Sequence, residues 1–304
     1  MVLILERYSR SRRSGPACLA AVTQLLILMA CTRSPYPPGA AAVRDISYGS
    51  GPENVLDIVR PPGSGAGIRP AVILVHGGGW RTGSRRDMIA GLADPLLAAG
   101  YIVVNMEYRK SPTAAAPAAL EDVIRGGWSF LGNTAHWHAD PEKVALIGVS
   151  AGAHLALMAA FTTPDAGFGN PLPVRAVVNY YGITDLAEAA EFAPSRDFTN
   201  AWLTPARREA ALSLSPLTYV RAGLPAVLTI HSRADPVVPF SHGARLATML
   251  GRAGVPAGLI PVDTPGHGFS QSQFAATIPA VLKFLREQAV TPPEGETTGP
   301  RPQP

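Results

Sequence analysis

Cysteine is nearly absent from this chain, with Cys18 and Cys31 alone among 304 residues. Were the chain cut before Cys31, a single thiol would remain. That excludes an internal disulfide, cysteine-based catalysis and a cysteine-rich zinc site. Charge is also sparse, at 16% of residues with a net of +4. It is unevenly placed: Arg7, Arg10, Arg12 and Arg13 against Glu6 give the first 30 residues +3, which leaves about +1 for the rest. The body has no basic stripe with interleaved aromatics, so no nucleic-acid partner is expected. No internal repeat is present. What the chain does have is apolar residues, 47% of the total, enough for one large core or two small ones.

The N-terminus is tripartite. A basic stretch, RYSRSRRS, precedes the 13-residue apolar run CLAAVTQLLILMA, which is short for a membrane span. Then comes LMAC, ending at Cys31. The order reads as a secretory signal over residues 1–30. LMAC resembles a bacterial lipobox, and the resemblance implies cleavage before Cys31, lipidation of its sulfur and a membrane anchor in the cell envelope. Secretion by an ordinary signal and an uncleaved N-terminus are the alternatives. Residues 31–43, rich in Pro, Gly and Ala, read as a tether, and 291–304, without apolar periodicity, as a disordered tail.

Between them, over 44–290, short apolar runs alternate with amphipathic stretches. Strands are expected at 55–60, 71–76, 101–107, 144–149, 175–181, 226–231 and 258–262. Helices are expected near 86–99, 116–131, 150–161, 241–253 and 272–288. That alternation predicts an α/β fold with a mostly parallel sheet and helices on both faces. Residues 182–222 break the rhythm and read equally as a small lid or as a pair of surface helices.

Within LIGVSAGAHLA, Ser150 stands between Gly148 and Gly152, where a strand gives way to helical spacing. This is the G-x-S-x-G elbow, which pushes a serine oxygen outward at the carboxyl end of a strand, above a helix N-terminus. A serine needs a base, and a base needs an acid. Asp235 follows the strand 226–231 and His267 follows 258–262, so Ser150, Asp235 and His267 occur in the order such a triad requires. Asp263 and Asp185 are the rival acids. VHGGGW (75–80) ends another strand, and its glycines let backbone N–H groups approach a substrate oxygen. Gly78 and Gly79, with the Ala151 N–H, are the expected oxyanion donors, and Gly77 can replace one of them. His76 is expected to orient this loop, with Glu107, Tyr108 and Arg109 beside it. His154 reads as a packing residue. Trp80 reads as pocket wall or core. His136 and His138, in HWH, read as surface residues rather than metal ligands.

Taken together, HGGGW, YRKSP, ALEDV, DPEKVALIGVSAGAHLA, YYGITDL, HSRADPVVP and GHGF resemble the α/β-hydrolase fold. Within it they resemble the esterase branch of hormone-sensitive-lipase-like and bacterial feruloyl-esterase-like enzymes. The resemblance covers residues 44–288. It implies hydrolysis of small-molecule carboxylic esters without metal or cofactor. Ala153 stands where many relatives carry a third glycine, and the chain before residue 44 is short for an N-terminal cap. An amidase, formamidase or peptidase on the same residues, and a non-catalytic binding protein on this fold, are the competing readings. Oligomeric state is left open.

Overall fold

The computed structural model describes residues 34–204 and 210–293. The signal segment, Cys31, residues 205–209 and most of the expected tail lie outside the described residues.

Eight strands form one sheet in the order β1-β2-β4-β3-β5-β6-β7-β8. These are β1 (Ala41–Ser47), β2 (Val55–Arg60), β3 (Arg69–Val75), β4 (Ile102–Met106), β5 (Ala139–Val149), β6 (Ala176–Tyr180), β7 (Ala226–Ser232) and β8 (Ala257–Val262). β1 and β2 pair antiparallel, as do β2 and β4; every other pairing is parallel. The helices are α1 (Asp94–Ala98), α2 (Ala118–Leu131), α3 (Thr134–Trp137), α4 (Ala151–Phe161), α5 (Leu186–Glu191), α6 (Ala193–Leu203), α7 (Ser241–Arg252) and α8 (Gln271–Glu287).

The central strands are apolar along their whole length because both faces are covered. Side-chain alternation divides them between two cores. Ile73, Val104, Leu146 and Val177 face a cluster completed by α2, α4 and α7. Val72, Leu74, Ile147 and Val178 face a second cluster built with residues 88–97 and α8. Helix α4 is buried at every position, because it lies between the sheet on one side and α2, α6 and residues 216–219 on the other.

Two expectations are corrected. The tether does not extend to residue 43. Tyr36 is buried, its hydroxyl donates to Asp57 Oδ2 at 2.8 Å, and β1 begins at Ala41. The helix expected at 86–99 is a 3-10 turn (Arg85–Met88), a π-helical turn (Ile89–Ala93) and the short α1. Pro95 has no N–H to continue the ladder, and Gly91 is pressed against the Phe274 ring, where a Cβ would lie 2.9 Å from Cδ2.

The described residues of 182–222 pack into the body of the domain rather than standing apart from it. Leu186, Ala189, Ala190, Trp202 and Leu203 belong to the first core. Trp202 stacks on Trp80 with ring centroids 4.4 Å apart, and its carbonyl accepts the Ala116 N–H at 2.9 Å. His154 Nε2 donates to Leu214 O at 2.7 Å.

Candidate functional site

Ser150 lies between β5 and α4 with φ 54° and ψ −119°, a strained conformation for a residue with a side chain. Both glycines around it are obligatory. A Cβ on Gly148 would sit 2.4 Å from Gly152 O, and one on Gly152 would sit 2.2 Å from the carbonyl oxygens of both Val75 and His76. Helix α4 therefore crosses the end of β3 in direct backbone contact. The turn is fixed by Ser150 N–H donating to Tyr180 O at 2.8 Å and by the His154 N–H donating to Ser150 O at 3.0 Å.

The structure brings the two partners to this turn. Ser150 Oγ is 2.8 Å from His267 Nε2, and His267 Nδ1 is 2.8 Å from Asp235 Oδ2. A carboxylate only accepts, so Nδ1 carries the hydrogen and Nε2 presents its lone pair to the serine hydroxyl. Asp235 Oδ1 accepts the backbone N–H of Val237 at 2.8 Å and of Val238 at 2.9 Å. Burial by itself would raise the Asp235 carboxyl. Hydrogen bonds from His231, His267 and the Val238 N–H, with the charge of His267, outweigh it and hold the group well below the usual carboxylate range. The rival acids are engaged elsewhere: Asp263 is exposed and pairs with Arg233 at 3.3 Å, while Asp185 caps α5 and pairs with Arg245.

The glycine loop leaves the end of β3. Gly78 and Gly79 have φ of 117° and 59°, and Gly78 O accepts the N–H groups of Arg81 and Thr82. A Cβ on Gly78 would lie 2.2 Å from Thr82 O, so the turn closes only around glycine. Ala151, first residue of α4, has an N–H without an acceptor earlier in its helix. The loop is anchored from below. His76 is fully buried; its Nδ1 meets Gly77 O at 2.7 Å and its Nε2 meets Glu107 Oε1 at 2.9 Å. Tyr108 stacks on His76 at 4.2 Å and donates to His76 O at 2.9 Å. Burial works to raise Glu107, but His76 and Lys110 hold it down at about 2. Arg109, in contrast, turns away to Asp122 on α2.

Ser150 and His267 open into a cavity of about 450 Å³, walled by Gly77–Gly79, Val149, Tyr181 and Phe198. Arg81, Tyr181 and His267 are the titratable groups in its lining. A second chamber of about 420 Å³ shares the Gly77–Gly78 wall and continues toward Met88, Leu92 and Phe274. Trp80 is fully buried in the first core and is not pocket wall. His154 is fully buried, and burial lowers it to about 4. His136 packs its ring against Trp137, and among the described residues no group of three or more His, Cys, Asp or Glu is placed to hold a metal.

Three contributors had no distinctive pattern in the sequence. Phe198 reaches the cavity from α6. Tyr181, at φ 41°, sets its ring 5.1 Å from that of His267. His231 lies behind Asp235.

The chain is similar to known esterases. Esterase LipQ of Mycobacterium tuberculosis is 34% identical over 268 residues, which are 82% of this chain and 60% of the relative. The probable carboxylic ester hydrolase LipM of the same organism is 30% identical, over 84% of this chain and 63% of the relative. The chain thus spans about 60% of the length of these curated relatives. Among solved structures, a truncated carbohydrate esterase from gut microbiota superposes with a TM-score of 0.71 at 25% identity, covering 83% of this chain and 97% of that one. Thermogutta terrifontis esterase 2, phosphonylated by sarin, superposes with a TM-score of 0.72 at 22% identity, covering 86% and 100%. The fold is that of the α/β-hydrolases. Residues 56–250 match the BD-FAE family, and the chain belongs to it.

Proposed function

We propose that this protein is a serine hydrolase that cleaves carboxylic esters of small or medium acyl groups through an acyl-enzyme on Ser150. The observation that carries the reading is the unbroken chain from Ser150 Oγ to His267 to Asp235, with both links at 2.8 Å, on the wall of the 450 Å³ cavity. Family membership and the esterase relatives support it.

The chemistry uses groups of this chain and water. His267 Nε2 takes the Ser150 proton as Oγ attacks the ester carbonyl, and Asp235 stabilises the resulting imidazolium. The N–H groups of Gly78, Gly79 and Ala151 receive the charge that develops on the carbonyl oxygen. His267 returns the proton to the departing alkoxide, which leaves as the alcohol. Water then repeats the sequence against the acyl-serine, releasing the carboxylic acid and restoring the hydroxyl. The glycine walls let the carbonyl approach the backbone, and the cavity suits a small or medium acyl group.

The test is hydrolysis of p-nitrophenyl esters from acetyl to lauroyl, beside matched anilides, with Ser150→Ala as control. Turnover that falls with chain length and vanishes in the variant is expected. Faster cleavage of the anilides would move the reading to an amidase. Ligand binding without Ser150-dependent turnover would move it to a binding protein.

The same proposal places the protein in the cell envelope, lipid-anchored through Cys31 after removal of residues 1–30. Incorporation of labelled palmitate that is lost in Cys31→Ser tests this, and an unlabelled processed chain contradicts it.

A further inference from the structure

We infer that His231 is a positioning residue for the hydrolytic site: its Nε2–H pins the Asp235 loop and so fixes the carboxylate that orients His267. The inference rests on the hydrolase reading above.

His231 lies near the end of β7, is fully buried, and meets the Phe240 ring edge-on at 5.7 Å. Its Nε2 is 2.9 Å from Val238 O, with a longer branch of 3.5 Å to Asp235 Oδ2. Both partners only accept, so Nε2 must carry the hydrogen and the tautomer is fixed. Nδ1 is then a bare lone pair, and among the described residues it has no hydrogen-bond partner. Helix α7 closes over it: a Cβ on Gly243 would come within 3.0 Å of Nδ1. A buried nitrogen without a partner is a cost that an apolar side chain of similar size would avoid. The useful edge of the ring is therefore the other one.

That edge completes a closed loop of contacts. Asp235 Oδ1 receives the Val237 and Val238 N–H groups, and the Val238 carbonyl receives His231. Val238 is thus held at both of its backbone polar groups, its N–H by the acid and its carbonyl by His231. Asp235 Oδ2 is left to His267, with the His231 branch beside it. The His231 Nε2–H, 3.5 Å from Oδ2, is also among the groups that keep the Asp235 carboxyl low.

The charged and titratable surroundings are few. On the cavity side, Tyr181 packs against His267, and Arg81 lies in the cavity wall. From α7, His242 lies close enough to feel both His231 and Arg245. From the start of α5, Asp185 and Glu188 both pair with Arg245. Arg233 lies over Phe240 and pairs with Asp263. None of these replaces the Nε2–H at Val238 and Asp235. Without that donor the carboxylate is less stabilised by its surroundings and draws the His267 proton more strongly. The acid limb of the pH profile therefore moves to higher pH.

The experiment compares wild type with His231→Phe, which removes the donor, and His231→Gln, whose amide reaches the Nε2 position. His231→Asn, whose amide stops near the Nδ1 position, runs in parallel, so the contrast of Gln with Asn stands if the phenylalanine variant does not fold. The full chain is assayed with p-nitrophenyl acetate across pH, with thermal unfolding recorded for each variant. Phe and Asn should lower kcat about tenfold with KM little changed. They should raise the acid-limb midpoint by about half a pH unit. Gln should restore both. A folded Phe or Asn variant with the wild-type kcat and limb overturns the inference. So does a Gln variant as impaired as Asn, because packing alone would then explain the loss. Absence of turnover in the wild type would refute the hydrolase reading itself, and this inference with it.

Discussion

Replacing Gly152 by alanine should destabilise the protein, although alanine is the better helix former. On propensity alone, Gly→Ala inside a helix gains roughly 0.5–1 kcal/mol, partly by restricting the unfolded chain. At Gly152 the new Cβ would lie 2.2 Å from two backbone carbonyl oxygens of the β3 end. Neither is a flexible side chain, so α4 must retreat by about 1 Å to restore an ordinary contact. Overpacking of this kind costs typically 1–3 kcal/mol or more. Contacts this short, with backbone on two sides, belong at the upper end, so the clash wins by about 2 kcal/mol. For a domain of this size that lowers Tm by roughly 4–8 °C. The retreat also carries Ser150 away from Gly77–Gly79, and a displacement of about 1 Å at a reacting atom costs on the order of a hundredfold in rate. Gly251→Ala is the internal control. It is an exposed position in α7 with nothing within 4 Å of the new Cβ, and it should raise stability slightly. Thermal unfolding and ester turnover of the two variants give the answer. A Gly152→Ala protein as stable and active as Gly251→Ala would refute the steric account of the elbow.

Other expectations follow from the same contacts. Asp235→Asn should leave the fold intact and reduce kcat by about 10³–10⁴, because the amide no longer holds the His267 tautomer; steady-state kinetics with a circular-dichroism control checks it. Phe198→Ala opens the cavity toward α6 and should lengthen the preferred acyl chain, read from the p-nitrophenyl ester series. Acid stability should fall in two windows. His154 and His242 are lowered from 6.5 to about 4 chiefly by burial, so the unfolded chain takes up protons first and stability is lost as pH falls from 6.5 to 4. Glu107, lowered from 4.5 to about 2, contributes stability above pH 4.5 that is lost as pH falls toward 2. Urea unfolding against pH should show His154→Leu weakening the first window alone and Glu107→Gln the second.

Much of this architecture was legible because most of the parallel strands announce themselves twice, by β-branched apolar content and by the helical spacing that follows. β2 matches its expected limits at Val55–Arg60, and α4 and α7 match theirs to within one residue at either end. The placement of Ser150, Asp235 and His267 at three strand ends could be read from order alone, since a parallel sheet gathers those ends on one side. Spacing already favoured Asp235, because Asp263 stands only four residues before His267. The structure separates them because the 235 loop folds back on its own carboxylate through the Val237 and Val238 N–H groups, whereas Asp263 points to solvent.

The rest was hidden for specific reasons. β1 carries exposed side chains at most positions, so AAVRDIS has no buried face to mark it. The π-helical turn depends on a contact between Gly91 and Phe274, far apart in sequence. Residues 182–222 looked like an insertion because their core-building residues are dispersed, and only pairing with Trp80 and His154 shows where Trp202 and Leu214 belong. His231 lies inside the quoted HSRADPVVP, yet its role depends on a backbone carbonyl seven residues away.

The central claim is that His267 makes Ser150 a nucleophile, and covalent trapping tests it most directly. The protein is treated with a fluorophosphonate and its intact mass and peptides are measured, beside Ser150→Ala and His267→Ala. The account predicts one adduct on the Ser150 peptide of the wild type, none in Ser150→Ala, and labelling slowed by orders of magnitude in His267→Ala. Labelling of the wild type at another residue, or equally fast labelling without His267, would contradict it.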